Sequence, residues 1–306
     1  MRIAVLVVAV LLLAGCQLPE RQADGAVRVP HALGETVLER TPVRVVALGA
    51  QWTDAALAMG VAPVGRLTDV AGPAVPWQPT AGASTGVDPA QPLDRQVKDL
   101  RPDLVLLEGA LGSPSTYLEM TAIAPTVPEL YAAPAGRWRD QVRALGAALR
   151  EPDEADEVIA AVDRRLDRFA AQPGGVRGRT VAVAWLAGPG QLIVSVDPAA
   201  PALEIFTRLG MRLPDALPAL PADQGRVVLP VDRLAELNAD VLVIGHSPGT
   251  GLDAVALPGY GELSAARNGT AVLLTPVELA GLEYPTALSV PYLLDRIEPA
   301  LRKAAR

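Results

Sequence analysis

Few side chains in this sequence could do covalent chemistry, and they are not spaced to do it together. The only thiol is Cys16, and the only imidazoles are His31 and His246, far apart along the chain. There is no Gly-x-Ser-x-Gly elbow and no His-Glu-x-x-His pair, so neither a nucleophile–base unit nor a zinc hydrolase site is expected. Direct capture of a bare zinc or manganese ion usually draws on several clustered histidines, and the chain does not offer them. No catalytic residue and no metal ligand are therefore assigned. What the chain does carry is chemistry for holding. Tryptophans supply flat apolar surface, and arginines meet anionic groups with paired N–H donors. Trp52 and Trp185 are the candidates for the first task, Arg66 and Arg226 for the second. Thr85, Gln224, His246 and Tyr284 lie beside them in the loops where such a ligand would sit.

Cys16 has a different context. Arg2 precedes an unbroken apolar run from Ile3 to Leu13, which ends in Leu13-Ala14-Gly15-Cys16. The run is too short to span a bilayer and reads as the core of a secretory signal. Its end resembles the lipobox of bacterial lipoproteins, in which the chain is cut before the cysteine and the thiol carries lipid. Residues 1–15 are then a signal peptide, and 16–28 a lipidated cysteine with a polar tether. The expected location is extracytoplasmic, held to the cell membrane by lipid. A single cysteine leaves no partner for an intramolecular disulfide.

The remaining chain is long enough for two cores. A net charge of −7 argues against nucleic acid, which needs a basic face. Short apolar runs at Val43–Leu48, Leu104–Leu107, Thr180–Leu186 and Val241–Gly245 read as strands. Helical stretches such as Thr53–Met59, Leu93–Leu100 and Thr286–Lys303 alternate with them. Continuous apolar strands between helices indicate parallel sheets covered on both faces. Residues 138–172 form one long amphipathic stretch, interrupted only by Pro152. The expected organisation is thus an N-terminal α/β lobe over 29–137, one linking backbone helix over 138–172, and a C-terminal α/β lobe over 173–306. The lobes are Rossmann-like, with a ligand cleft between them. In such lobes ligands sit beyond the carboxyl ends of the strands, and that rule selects the eight candidate residues above.

Several segments, taken in order, resemble the ABC-importer binding proteins that serve ferric siderophores, haem and cobalamin. They are Arg44-Val45-Val46-Ala47-Leu48, the run from Asp54 to Gly65, Leu100-Arg101-Pro102-Asp103-Leu104-Val105-Leu106, and Ile123-Ala124-Pro125-Thr126-Val127. In the second half they are Val231-Asp232-Arg233-Leu234, Ala239-Asp240-Val241-Leu242-Val243-Ile244, and Leu257-Pro258-Gly259-Tyr260. The resemblance implies a monomeric, non-enzymatic binding protein that delivers an iron-siderophore-type chelate to a membrane permease. It has no cofactor, and iron enters only as part of the bound chelate. It also implies a docking acid on each lobe, aligned here with Asp54 and Glu204. Relatives that bind hydroxamates carry an arginine at the position of Gly86, a tyrosine at Leu111 and a tryptophan near Gln224. This chain lacks all three, so catecholate, mixed, citrate, haem and corrinoid ligands stay open, as does a sensor or interaction role on the same fold.

Overall fold

The computed structural model describes residues 25–67, 75–79, 84–109, 111, 113–130, 138–172, 174–188, 190–247 and 254–306. The signal, Cys16 and most of the tether lie outside the described residues. The described chain opens with an antiparallel hairpin, β1 (Val27–His31) and β2 (Gly34–Leu38). The N-terminal lobe follows as β3 (Val45–Leu48), α1 (Ala50–Ala58), β4 (Gly65–Leu67), β5 (Thr85–Val87), α2 (Leu93–Leu100), β6 (Leu104–Leu107), α3 (Pro114–Thr121) and β7 (Thr126–Val127). Its five strands are all parallel, in the order β5-β4-β3-β6-β7.

Side-chain alternation explains why these strands read as unbroken apolar runs. Val45, Ala47, Leu104 and Leu106 enter one core cluster. Val46, Leu48, Val105 and Leu107 enter another on the opposite face. A strand covered on both sides has no polar face to show.

The amphipathic stretch expected to be one linking helix is two. α4 (Trp138–Leu149) ends at Arg150, whose φ of 62° reverses the chain, and α5 (Pro152–Ala170) starts on a proline at its first turn. Proline lacks the N–H a continuing helix would need but fits a helix start, so the break falls there. The helices pack antiparallel, as the pairs Arg143–Asp156 (3.2 Å) and Arg139–Asp163 (2.6 Å) show. Gly146 permits this approach: a Cβ there would sit 2.4 Å from the Ala155 Cβ. α4 lies against α1 and β1.

The C-terminal lobe contains β8 (Val181–Gly188), β9 (Gln191–Ser195), α6 (Glu204–Arg208), β10 (Arg226–Pro230), β11 (Val241–His246), α7 (Ser264–Asn268), β12 (Ala271–Leu273), α8 (Pro276–Glu283) and α9 (Ser289–Ala304). Its sheet order is β10-β9-β8-β11-β12. The strands β8, β11 and β12 are parallel, while β9 runs antiparallel to both its neighbours. α5 packs against α6 and α9, so each helix of the α4–α5 pair is seated on a different lobe.

Candidate functional site

The α1 helix begins at Ala50, directly after β3, and this start decides the fate of two expected site residues. Trp52 falls on the first turn, faces inward and is 0% exposed in the main core, so it is a packing residue and cannot reach a ligand. Asp54 is only 2% exposed and is not the exposed docking acid that the resemblance implies. Its carboxylate accepts from the Trp77 indole N–H (2.7 Å), the Gln78 amide (2.6 Å) and the Thr286 hydroxyl (2.7 Å). Burial pushes the Asp54 pKa up, against the pull of those three donors and the nearby Arg66 charge.

Thr286 belongs to the C-terminal lobe, so this carboxylate joins the two lobes. Gln51 adds a 3.3 Å bond from its amide to the Pro285 carbonyl. Trp77 completes the contact. Its ring lies 5.7 Å from that of Tyr292, and a Cβ added at Gly281 would fall 2.4 Å from its edge. Glycine at 281 is what lets the indole seat there. Arg66, half-buried at β4, donates to the Gln78 carbonyl oxygen at 2.8 Å.

Glu204 also departs from expectation. It opens α6 but is tied to Arg139 (2.5 Å), and it accepts from the Trp138 indole at 3.3 Å. With 22% side-chain exposure it is an inter-helix ion pair, not a projecting tip.

On the C-terminal lobe the sheet builds a platform. Register places Trp185 opposite Ile193, and Ile193 opposite Val228, so the three side chains share one face across β8, β9 and β10. Trp185 and Ile193 are half-buried and Val228 is exposed. The Arg226 guanidinium lies 5.2 Å from the Trp185 ring centroid and is paired with Glu283 at the end of α8. Burial raises the Glu283 pKa, which the Arg226 charge and hydrogen bond oppose. Ile193, Val228 and Glu283 were missed from sequence. β9 and β10 are about thirty residues apart in the chain, so their register is not legible from sequence; Gln224 and Gly225 both take positive φ in the tight turn from Asp223 to Arg226 that leads into β10. Gln224 is exposed on that turn, and Tyr284 is 45% exposed just after Glu283.

The other expected residues are more dispersed. His246 ends β11, half-buried, with Nδ1 3.1 Å from the Ser247 carbonyl. Thr85 is exposed at the start of β5. Two carboxylates stand just past the carboxyl ends of β6 and β7: Glu108, which the strand-end rule also selects, and Glu129, which was missed from sequence. Glu108 accepts from the Ala50 N–H at 2.8 Å, and Glu129 lies beside Gly109. Burial raises both pKa values, and for Glu108 the neighbouring Glu129 and Asp54 charges add to the rise. Among the described residues no group of histidine, cysteine and carboxylate side chains is arranged to hold a metal ion. A concavity of 590 Å³ between α2 and α3, lined by Lys98, Arg101 and Glu119, includes none of these residues; its Arg101, Pro102 and Ile123 precede β6 and β7, away from the carboxyl ends of the strands.

Comparison with known proteins agrees with this architecture. The family described as periplasmic binding protein matches residues 45–277, and the chain belongs to that family. The probable siderophore-binding lipoprotein YfiY of Bacillus subtilis is 29% identical over 191 residues, covering 58% of this chain and 57% of that protein. The chain therefore matches a little over half the length of that relative. A periplasmic solute-binding protein of Mycobacterium smegmatis superposes with a TM-score of 0.77 at 25% identity, over 92% of this chain and 99% of the other. PiaA of Streptococcus pneumoniae, solved with ferrichrome, gives 0.69 at 22% identity over 90% and 99%. SirA of Staphylococcus aureus, solved with staphyloferrin B, gives 0.66 at 20% identity over 90% and 98%. These last two likenesses establish the fold that this chain shares with them. No helix among the described residues is long and apolar enough to cross a membrane.

Proposed function

We propose that this chain is the extracytoplasmic binding subunit of an ABC importer, anchored through lipid on Cys16, and that it captures a ferric siderophore for delivery to the permease. The observation that carries this reading is its membership of the periplasmic binding protein family, joined to its identity with a relative named for siderophore binding. The platform of Trp185, Ile193 and Val228 supports it, since an iron chelate presents an organic shell that needs flat apolar contact. Arg226 beside that platform and Arg66 on the opposite lobe supply cations for anionic donor groups. Thr85, Gln224, His246 and Tyr284 add polar contacts at the rim. The protein works as a monomer and carries out no chemistry on its cargo; iron passes through as part of the chelate.

Titration of the purified protein with ferric hydroxamates, ferric catecholates, ferric citrate, haem and cobalamin, followed by tryptophan fluorescence, tests this. Saturable quenching by a ferric siderophore, lost in Trp185→Ala, is the expected result. No saturable response to any member from folded protein rejects the binding role. A response to haem or cobalamin alone moves the cargo to another chemistry on the same fold. Cys16→Ser should move the protein from the membrane fraction to the soluble one; retention in the membrane would reject the lipid anchor.

A further inference from the structure

The buried contact between the lobes contains a hydrogen-bond relay whose direction is chemically fixed at both ends. At one end Asp54 receives three donors. The Trp77 indole can only donate. The Thr286 hydroxyl accepts from the Leu288 and Ser289 N–H groups (3.3 and 2.9 Å), which leaves its own proton for Asp54. At the other end stands Arg66, which has donors and no acceptor. Gln78 lies between them, with its amide nitrogen 2.6 Å from Asp54 Oδ1 and its carbonyl oxygen 2.8 Å from Arg66. Only one orientation of the Gln78 amide satisfies both neighbours. Turning it over would set an NH₂ against a guanidinium and an oxygen against a carboxylate.

We propose that Asp54 is a positioning residue for ligand binding: through Gln78 it holds the Arg66 guanidinium in place, and through Thr286 it ties that placement to the closed contact between the lobes. This role rests on the siderophore-binding reading. It replaces the docking role, for which Asp54 is too deeply buried. It also explains why an acid is held there at a site where burial disfavours its charge. A neutral amide could accept from Trp77 and Thr286, but it would present an NH₂ to Gln78 and reverse the relay. Arg66 would then face the Gln78 amide nitrogen.

The test is an exchange of acid and amide. Asp54→Asn preserves shape and turns the relay over. Adding Gln78→Glu supplies a carboxylate that accepts both from the amide introduced at position 54 and from Arg66, with the same total charge. The full-length chain, in wild-type, single and double form, is titrated with the ferric siderophore that binds the wild type, and each form is also followed by amide hydrogen exchange without ligand. The expected result is affinity about tenfold weaker in the single variant, and within about threefold of wild type in the double variant. Exchange in segments 75–79 and 285–289 should rise in the single variant and return in the double. Unchanged affinity in Asp54→Asn, or a double variant as weak as the single, overturns the proposal; a purely structural acid would not be rescued by moving its charge to residue 78. If the wild type binds no chelate, the binding reading fails and the positioning role with it. The exchange data then still report whether the relay joins the lobes.

Discussion

Asp54 and Glu204 look alike in the sequence, each an acid near the start of a helix, one in each lobe, yet the fold gives them opposite surroundings. Asp54 is sealed at the lobe contact and is met only by neutral donors. Glu204 keeps 22% of its side chain exposed and is met by the Arg139 guanidinium, which also holds Asp163. The lesson concerns solvation. A buried carboxylate depends on every donor aimed at it, because losing it leaves those donors unpaired away from water. A half-exposed ion pair has water and a second acid in reserve.

The comparison breaks most visibly under truncation. Asp54→Ala strands the Trp77, Gln78 and Thr286 donors and should cost roughly 3 kcal/mol of unfolding free energy. Glu204→Ala leaves Arg139 paired with Asp163 and should cost under about 1 kcal/mol. Urea denaturation of the two variants reads the difference directly. Equal losses would mean that the lobe contact is wetter than its burial implies.

A smaller effect is expected from Gly281→Ala. The added methyl meets the Trp77 ring at 2.4 Å, so the indole must leave its seat against Tyr292. Overpacking of this kind costs about 1–3 kcal/mol, toward the low end here because Trp77 is only half-buried. Its fluorescence should shift to the red as the ring meets water. An unshifted spectrum with unchanged stability would show that Trp77 does not bind the lobes together.

These residues also mark where the sequence could be read and where it could not. The apolar runs of β3, β6, β8 and β11 announced the two sheets, because a strand buried on both faces must be apolar throughout. Leu93–Leu100 was legible as a helix, since Leu93, Val97 and Leu100 face the core at helical spacing and its other residues are polar. α8 escaped notice for the opposite reason: Glu278, Leu279, Gly281, Leu282 and Glu283 are all buried, so it has no polar face to set a period. Its capping box from Thr275 to Glu278 was the available signal. Trp52 was sent to the cleft by its place after a strand, and the early start of α1 turned it into the core. Trp77 was passed over because it sits in a Pro- and Ala-rich segment with no periodicity, although its ring packs against Tyr292 and Gly281 of the C-terminal lobe.

The smallest expected effect concerns pH and the carboxyls that share Asp54's burial. Burial raises the pKa values of Asp54, Glu108, Glu129 and Glu283. A carboxyl whose folded pKa lies above its unfolded value binds its proton more tightly in the folded state. Its stabilising contribution is full below the unfolded pKa, near the ordinary carboxylate range of about 4, and is lost as pH rises through the folded value. Glu278 and Asp240 are shifted down by their hydrogen bonds and arginine neighbours, so their contributions have the opposite sign. Glu108→Gln isolates one raised group, because the amide oxygen can still accept from the Ala50 N–H while the charge is gone. That variant should unfold at a higher temperature than wild type near neutral pH, by about 2–4 °C if roughly 1 kcal/mol is recovered. The gap should narrow as pH falls toward about 4, where the wild-type carboxyl is itself protonated. A gap that persists unchanged at low pH would assign the gain to packing, and the charge at Glu108 would then carry no burden in the folded protein.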